Sequence, residues 1–68
     1  MWKRIIGQNI RRVRLEKGLS QEELAHRANL TPSYLGQTER GTRNISVEAL
    51  GRIAEALGVE IVSLFDRR

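Results

Sequence analysis

The chain has 68 residues, a formal net charge of +4, no cysteine and one histidine. That length predicts one domain, residues 1–68, with a small core, since a chain this short buries only about 60% of the surface it exposes when unfolded. The totals exclude a disulfide or thiolate metal centre, and apolar runs of four residues or fewer exclude a membrane-spanning helix. With no secretory signal, the expectation is a soluble cytoplasmic protein.

The charge is unevenly spread. Residues 1–17 carry Lys3, Arg4, Arg11, Arg12, Arg14 and Lys17 against Glu16 alone, whereas residues 44–66 carry Glu48, Glu55, Glu60 and Asp66 against Arg52 alone. A basic end facing a mildly acidic one points to a polyanionic partner, although solvated helix faces would give the same totals.

Trp2, Ile6, Ile10 and Val13 recur at helical spacing and predict a first helix over about residues 2–16, stopped by Gly18. Ser20 caps a second helix, and Glu23 completes a capping box three residues later. Leu24, Ala25 and Ala28 supply its inner face, His26 lies on its outer face as an ordinary solvated histidine, and Asn29 suits the left-handed turn that ends it. Thr31 caps a third helix with Pro32 at its first position, where a missing N–H costs nothing. Tyr34 and Leu35 are its apolar residues and Gly41 ends it. Ser46 caps a fourth helix, with Glu48 near its positive end, a stripe of Val47, Leu50, Ile53, Ala54 and Leu57, and Gly58 as its stop. Ile61, Leu64 and Phe65 predict a short fifth helix.

The second and third helices are joined by only Asn29-Leu30-Thr31. A small residue at the crossing, Ala25, a residue at ease at positive φ, Asn29, and buried apolar groups on both arms make this a helix-turn-helix, whose second helix can lie in the DNA major groove.

The stretch GLSQEELAHRANLTPSYLGQTERGTRNISVEALGRIAEALGV resembles the Cro and phage-repressor type of helix-turn-helix, the XRE family. The resemblance covers about residues 5–65 and is most specific at LSQEELA, at ERG and at ISVEALGRIAEALGV. The chain is also similar to the controller proteins of restriction–modification systems, which are comparably short and carry a similar RGTRNIS loop. The family implies an all-α, compact five-helix lambda-repressor-like bundle that binds a pseudo-palindromic operator in double-stranded DNA as a homodimer. It implies base contacts from Pro32, Ser33, Gly36 and Gln37, and phosphate contacts from Gln21 and Thr31 at their helix starts. Arg40, Thr42, Arg43 and Asn44 would line the DNA backbone, with Arg43 a candidate for the minor groove. An ion pair between Arg14 and Glu39 is implied too.

The residues can be weighed individually. Gln37 can pair with N6 and N7 of adenine, worth about 1–3 kcal/mol of discrimination, or be a plain surface glutamine. Gly36 costs about 1 kcal/mol against alanine inside a helix, which close approach to DNA would justify. Thr38 stands where the family places an aliphatic residue, so its hydroxyl needs a partner, most cheaply the carbonyl of Tyr34. The Tyr34 ring is expected to pack while its hydroxyl reaches a phosphate. Trp2 is expected to cap the core. Arg11 and Arg12 are either phosphate contacts or surface charges. Of Ile61, Val62, Leu64 and Phe65, some must close the core and the remainder form an apolar patch, read as a dimer interface.

A transcriptional regulator is the leading class, repressing by blocking RNA polymerase or activating by contacting it. An antitoxin-like module whose main partner is a toxin is the alternative. An enzyme is disfavoured: there is no nucleophile–base pair, acid cluster, metal spacing or phosphate-binding glycine loop, and no cofactor is expected.

Overall fold

The computed structural model describes residues 2–67. The described residues are all-α, without a strand: α1 (Trp2–Glu16), α2 (Gln21–Arg27), α3 (Pro32–Arg40), α4 (Val47–Leu57) and a final 3-10 helix (Ile61–Phe65). Each α-helix after the first begins at a hydroxyl cap. Ser20 Oγ accepts from the Glu23 N–H at 3.0 Å while Glu23 Oε1 accepts from the Ser20 N–H at 2.9 Å. Thr31 Oγ1 accepts from the Tyr34 N–H at 3.0 Å, and Ser46 Oγ from the Ala49 N–H at 3.0 Å. These bonds satisfy N–H groups that have no partner within their own helix.

The turn between α2 and α3 depends on Asn29, the one described non-glycine residue at positive φ, 58°. The Leu30 N–H then bonds back to the Ala25 carbonyl at 2.8 Å. At the other end of α3, Gly41 takes the left-handed conformation, φ 76°, and lies against Arg4, so that a Cβ there would stand 3.0 Å from the Arg4 Cα. Both demands require glycine.

Ile10, Leu24, Leu35, Ile53 and Leu64 are the largest wholly buried apolar side chains, and each is worth about 1.5–3 kcal/mol of removal from water. The core lies between α1, α2 and α4, with Leu35 entering from α3 and Leu64 closing it from the C-terminal side.

Three expectations are corrected. The fifth element is a 3-10 turn, closed by bonds such as Ser63 N–H to the Glu60 carbonyl at 3.0 Å. Five residues are too few to repay α-helix nucleation, and a tighter turn suffices to deliver Leu64 to the core. Val47 shares the helical period of its stripe yet is 80% exposed, because it opens α4 directly after the Ser46 cap, outside the packed region. Trp2 is 53% exposed and lies over the edge of the core, meeting Phe65 edge-to-face with ring centroids 5.5 Å apart.

Candidate nucleic-acid interface

The position of α3 is set by two contacts with α1. At the first, the helices cross at Gly7. A Cβ on Gly7 would overlap the Thr38 carbonyl oxygen and stand 2.8 Å from that of Glu39, so only glycine allows this approach. At the second, Arg14 Nε donates to Glu39 Oε2 at 2.7 Å and Nη2 donates to Oε1 at 3.1 Å. Arg14 Nη1 also donates to the Leu19 carbonyl at 2.8 Å, and Gln21 Nε2 donates to Glu39 Oε1 at 2.9 Å. One buried carboxylate therefore gathers α1, α2 and α3, and its partner Arg14 ties in the α1–α2 loop. With every polar atom satisfied, the network fixes geometry more than it adds net stability.

The outward side of α3 is polar. Thr31, Pro32, Ser33 and Arg40 are exposed and Gln37 is half-exposed. Thr42, Arg43 and Asn44 follow as an exposed loop. The Thr42 N–H and hydroxyl both donate to the Gln37 carbonyl, at 3.0 and 3.2 Å. Arg43 Nε donates to Gln37 Oε1 at 2.8 Å, and its guanidinium lies 4.6 Å from the centre of the Tyr34 ring. The Tyr34 hydroxyl accepts from the Ser46 N–H at 3.4 Å. Glu39, the one carboxylate of α3, is turned inward against Arg14, so the outward charges of α3 and its loop are Arg40 and Arg43.

Several residues named from sequence stand apart from this face. Gly36 is buried: a Cβ there would stand 3.2 Å from Arg40 Nη1 and 3.8 Å from Gln21 Oε1. Its missing side chain leaves room for those two groups. Gln21 is half-buried, with its amide spent on Glu39. Arg12 bonds to Glu16 at 3.4 Å and to Asn9 Oδ1 at 3.2 Å, beside the C-terminal segment rather than beside α3. Leu64 belongs wholly to the chain's own core, and Phe65 is half-buried against Trp2, which leaves Ile61 and Val62 outward, Val62 by 70%.

α3 and its loop thus present an uncharged hydrogen-bonding face rimmed by arginines, a surface suited to a polyanionic partner. The Helix-turn-helix family model matches residues 10–64. The chain belongs to the helix-turn-helix family. It is 45% identical over 62 residues to an uncharacterized HTH-type transcriptional regulator of Sinorhizobium fredii, covering 91% of this chain and 80% of that protein. It is 43% identical over 63 residues to control protein C.BamHI of Bacillus amyloliquefaciens, covering 91% and 78%. Among solved structures, the restriction–modification controller protein C.AhdI of Aeromonas hydrophila superposes with a TM-score of 0.89 at 44% identity, covering 91% of this chain and 94% of that one.

Within this helix-turn-helix chain, sequence reading named Arg11 but left out Arg4 and Gly7. Arg4 is exposed and abuts Gly41 at the end of α3, two turns before Arg11 on the same flank of α1. The seven-residue spacing of the two arginines was the available signal. Gly7 gave no signal, because only the helix crossing reveals what its missing Cβ allows.

Proposed function

We propose that this DNA-binding transcriptional regulator acts as a homodimer on a pseudo-palindromic operator, with α2 and α3 as its helix-turn-helix and α3 as the recognition helix. The observation that carries this reading is the outward side of α3. Pro32, Ser33 and Gln37 are available there, Arg40 and Arg43 supply positive charge, and the only carboxylate of the helix is buried. Ser33 and Gln37 address base edges, and Pro32 offers an apolar surface to a thymine methyl. Thr31, Arg40, Thr42, Asn44, Arg11 and Arg4 address phosphates and set the register. Two copies joined through Ile61 and Val62 place their α3 helices about 34 Å apart, one turn of DNA.

The 68 residues act as one domain and perform no catalysis. Occupancy of the operator follows the concentration of the dimer. Likeness to controller proteins favours control of restriction–modification genes, including its own, by excluding or contacting RNA polymerase.

Selection from random duplexes tests this directly. A two-fold-related site should be enriched, and binding to it should weaken with salt at a log–log slope of about −0.9 per phosphate neutralised. A pool that returns without any enriched site would refute specific recognition.

A further inference from the structure

Gln37 and Arg43 are six residues apart, across the end of α3, yet Arg43 Nε donates to Gln37 Oε1 at 2.8 Å. A guanidinium has no acceptor, so the amide has one admissible orientation: oxygen toward Arg43, NH2 away from it. Arg43 is held in turn. Its guanidinium lies over the Tyr34 ring at 4.6 Å, a cation–π contact, and the Tyr34 hydroxyl is tied to the Ser46 N–H. Thr42 doubles back onto the Gln37 carbonyl through its N–H and its hydroxyl, which holds the loop against the helix.

This arrangement changes what Gln37 presents. A glutamine that reads adenine must accept from N6–H through its oxygen while donating to N7 through its nitrogen. Here the oxygen is already engaged by a cation, and a base amino group approaching its second lone pair would bring a positive edge toward that cation. The groups this pair leaves uncommitted are donors, the amide NH2 of half-exposed Gln37 and the terminal nitrogens of exposed Arg43. Guanine answers with two acceptors, O6 and N7.

We propose that Gln37 and Arg43 form a composite reader that selects guanine over adenine at the base pair facing Gln37, with Tyr34 as its positioning residue. The proposal rests on α3 being the recognition helix. It also assigns Arg43 to the same groove as Gln37, since a reach into the minor groove would require the pair to break.

The test is random-duplex selection with the full chain and two exposed-face variants, Gln37→Ala and Arg43→Ala. Gln37→Ala identifies the position, as the one where base preference is lost. At that position the unaltered protein should favour guanine over adenine by roughly tenfold or more. Arg43→Ala, which frees the amide oxygen, should shift the preference there toward adenine and leave the other positions as they were. Adenine favoured by the unaltered protein overturns the proposal. So does an Arg43→Ala variant that binds all sequences more weakly with the same preference, which is the behaviour of a phosphate or minor-groove contact. Loss of preference at no position in Gln37→Ala overturns it as well. In each of these cases an enriched site survives and α3 keeps its role, whereas absence of any enriched site removes both readings together.

Discussion

The carboxylate of Glu39 meets the guanidinium of Arg14 through two bonds, 2.7 and 3.1 Å long, with the two side chains 2% and 8% exposed. A charge so placed is tolerable only while its partner is present. Arg14→Leu leaves the carboxylate buried with Gln21 alone, and a loss of about 3–5 kcal/mol is expected. That is a large share of the total for a chain this short, given about 0.05–0.15 kcal/mol of stability per residue. The double variant Arg14→Met/Glu39→Leu should recover much of the loss, because no charge then remains to be buried. Urea unfolding of the three proteins measures this, and a double variant less stable than Arg14→Leu would contradict it.

Gly7 is the second tie between α1 and α3. The atoms that a Cβ would meet are the backbone oxygens of Thr38 and Glu39, which cannot swing aside as a side chain could. In an isolated helix Gly7→Ala would gain about 1 kcal/mol. Here the overlap should dominate, with a net loss near the upper end of the roughly 1–3 kcal/mol seen for overpacked sites. Because the helix would be displaced at the level of Glu39, affinity for DNA should fall with stability. Thermal melting that shows Gly7→Ala at or above the parent's stability would mean the helices separate at little cost.

Thr38 shows the opposite sensitivity. Its hydroxyl donates to the Tyr34 carbonyl at 2.9 Å and the residue is almost wholly buried. In an α-helix that carbonyl already receives the Thr38 backbone N–H, so removing the hydroxyl orphans nothing. Thr38→Val should therefore lie within about 1 kcal/mol of the parent and can be more stable, since a net hydrogen bond is worth only about 0.5–1.5 kcal/mol. A larger loss in the melting curve would assign the hydroxyl a second task.

What could be read from sequence follows from how local each feature is. Helix starts at Ser20, Thr31 and Ser46 were legible because a cap is made within four residues, and Gly41 and Gly58 marked ends for the same reason. The Thr38-to-Tyr34 bond, a single helical turn, was legible too. Features set by distant chain segments were not. Periodicity put Val47 in a buried stripe, but burial depends on what stands opposite, and Val47 stays 80% exposed while Ala49 and Leu50 in the same turn are buried. An apolar C-terminal run could not say that Leu64 turns inward while Val62 turns outward. At the site, the exposed polar face was legible from residue type, whereas the Gln37–Arg43 bond depends on how the loop after Gly41 folds back.

The capping box of α2 carries a pH dependence. The Glu23 carboxyl is held below its ordinary value of 4.5, first by the Ser20 backbone N–H, then by the Ser20 side chain, with Arg27 adding to it. A carboxyl lowered in the folded state stabilises fully above its unfolded value, and that contribution is lost as pH falls through the folded value. Glu23→Gln keeps an acceptor for the Ser20 N–H but does not titrate. The stability difference between parent and variant should be constant above about pH 5.5 and should shrink as the solution is acidified below 4.5. Parallel curves of stability against pH would show that the cap works without its charge.

Asn9 fastens the C-terminal segment to α1. Its Nδ2 donates to the Leu64 carbonyl at 2.8 Å and to the Asp66 carbonyl at 2.7 Å, and its Oδ1 accepts from Arg12 at 3.2 Å. The side chain is thus a donor on one side and an acceptor on the other. Asn9→Ala removes both donors from carbonyls near the core and should cost about 1–3 kcal/mol. Asn9→Asp is nearly isosteric but replaces the NH2 with an oxygen facing two carbonyl oxygens, with the gain from Arg12 confined to the other side. Repulsion across a part-buried contact should make the aspartate variant the less stable of the two at neutral pH, and acidification, which restores one donor, should narrow the gap. The Trp2–Phe65 contact, 5.5 Å between rings, supplies the readout, because the indole emission reports whether the C-terminal segment stays docked. An aspartate variant as stable as the parent, with unchanged emission, would mean that Leu64 burial alone holds the segment in place.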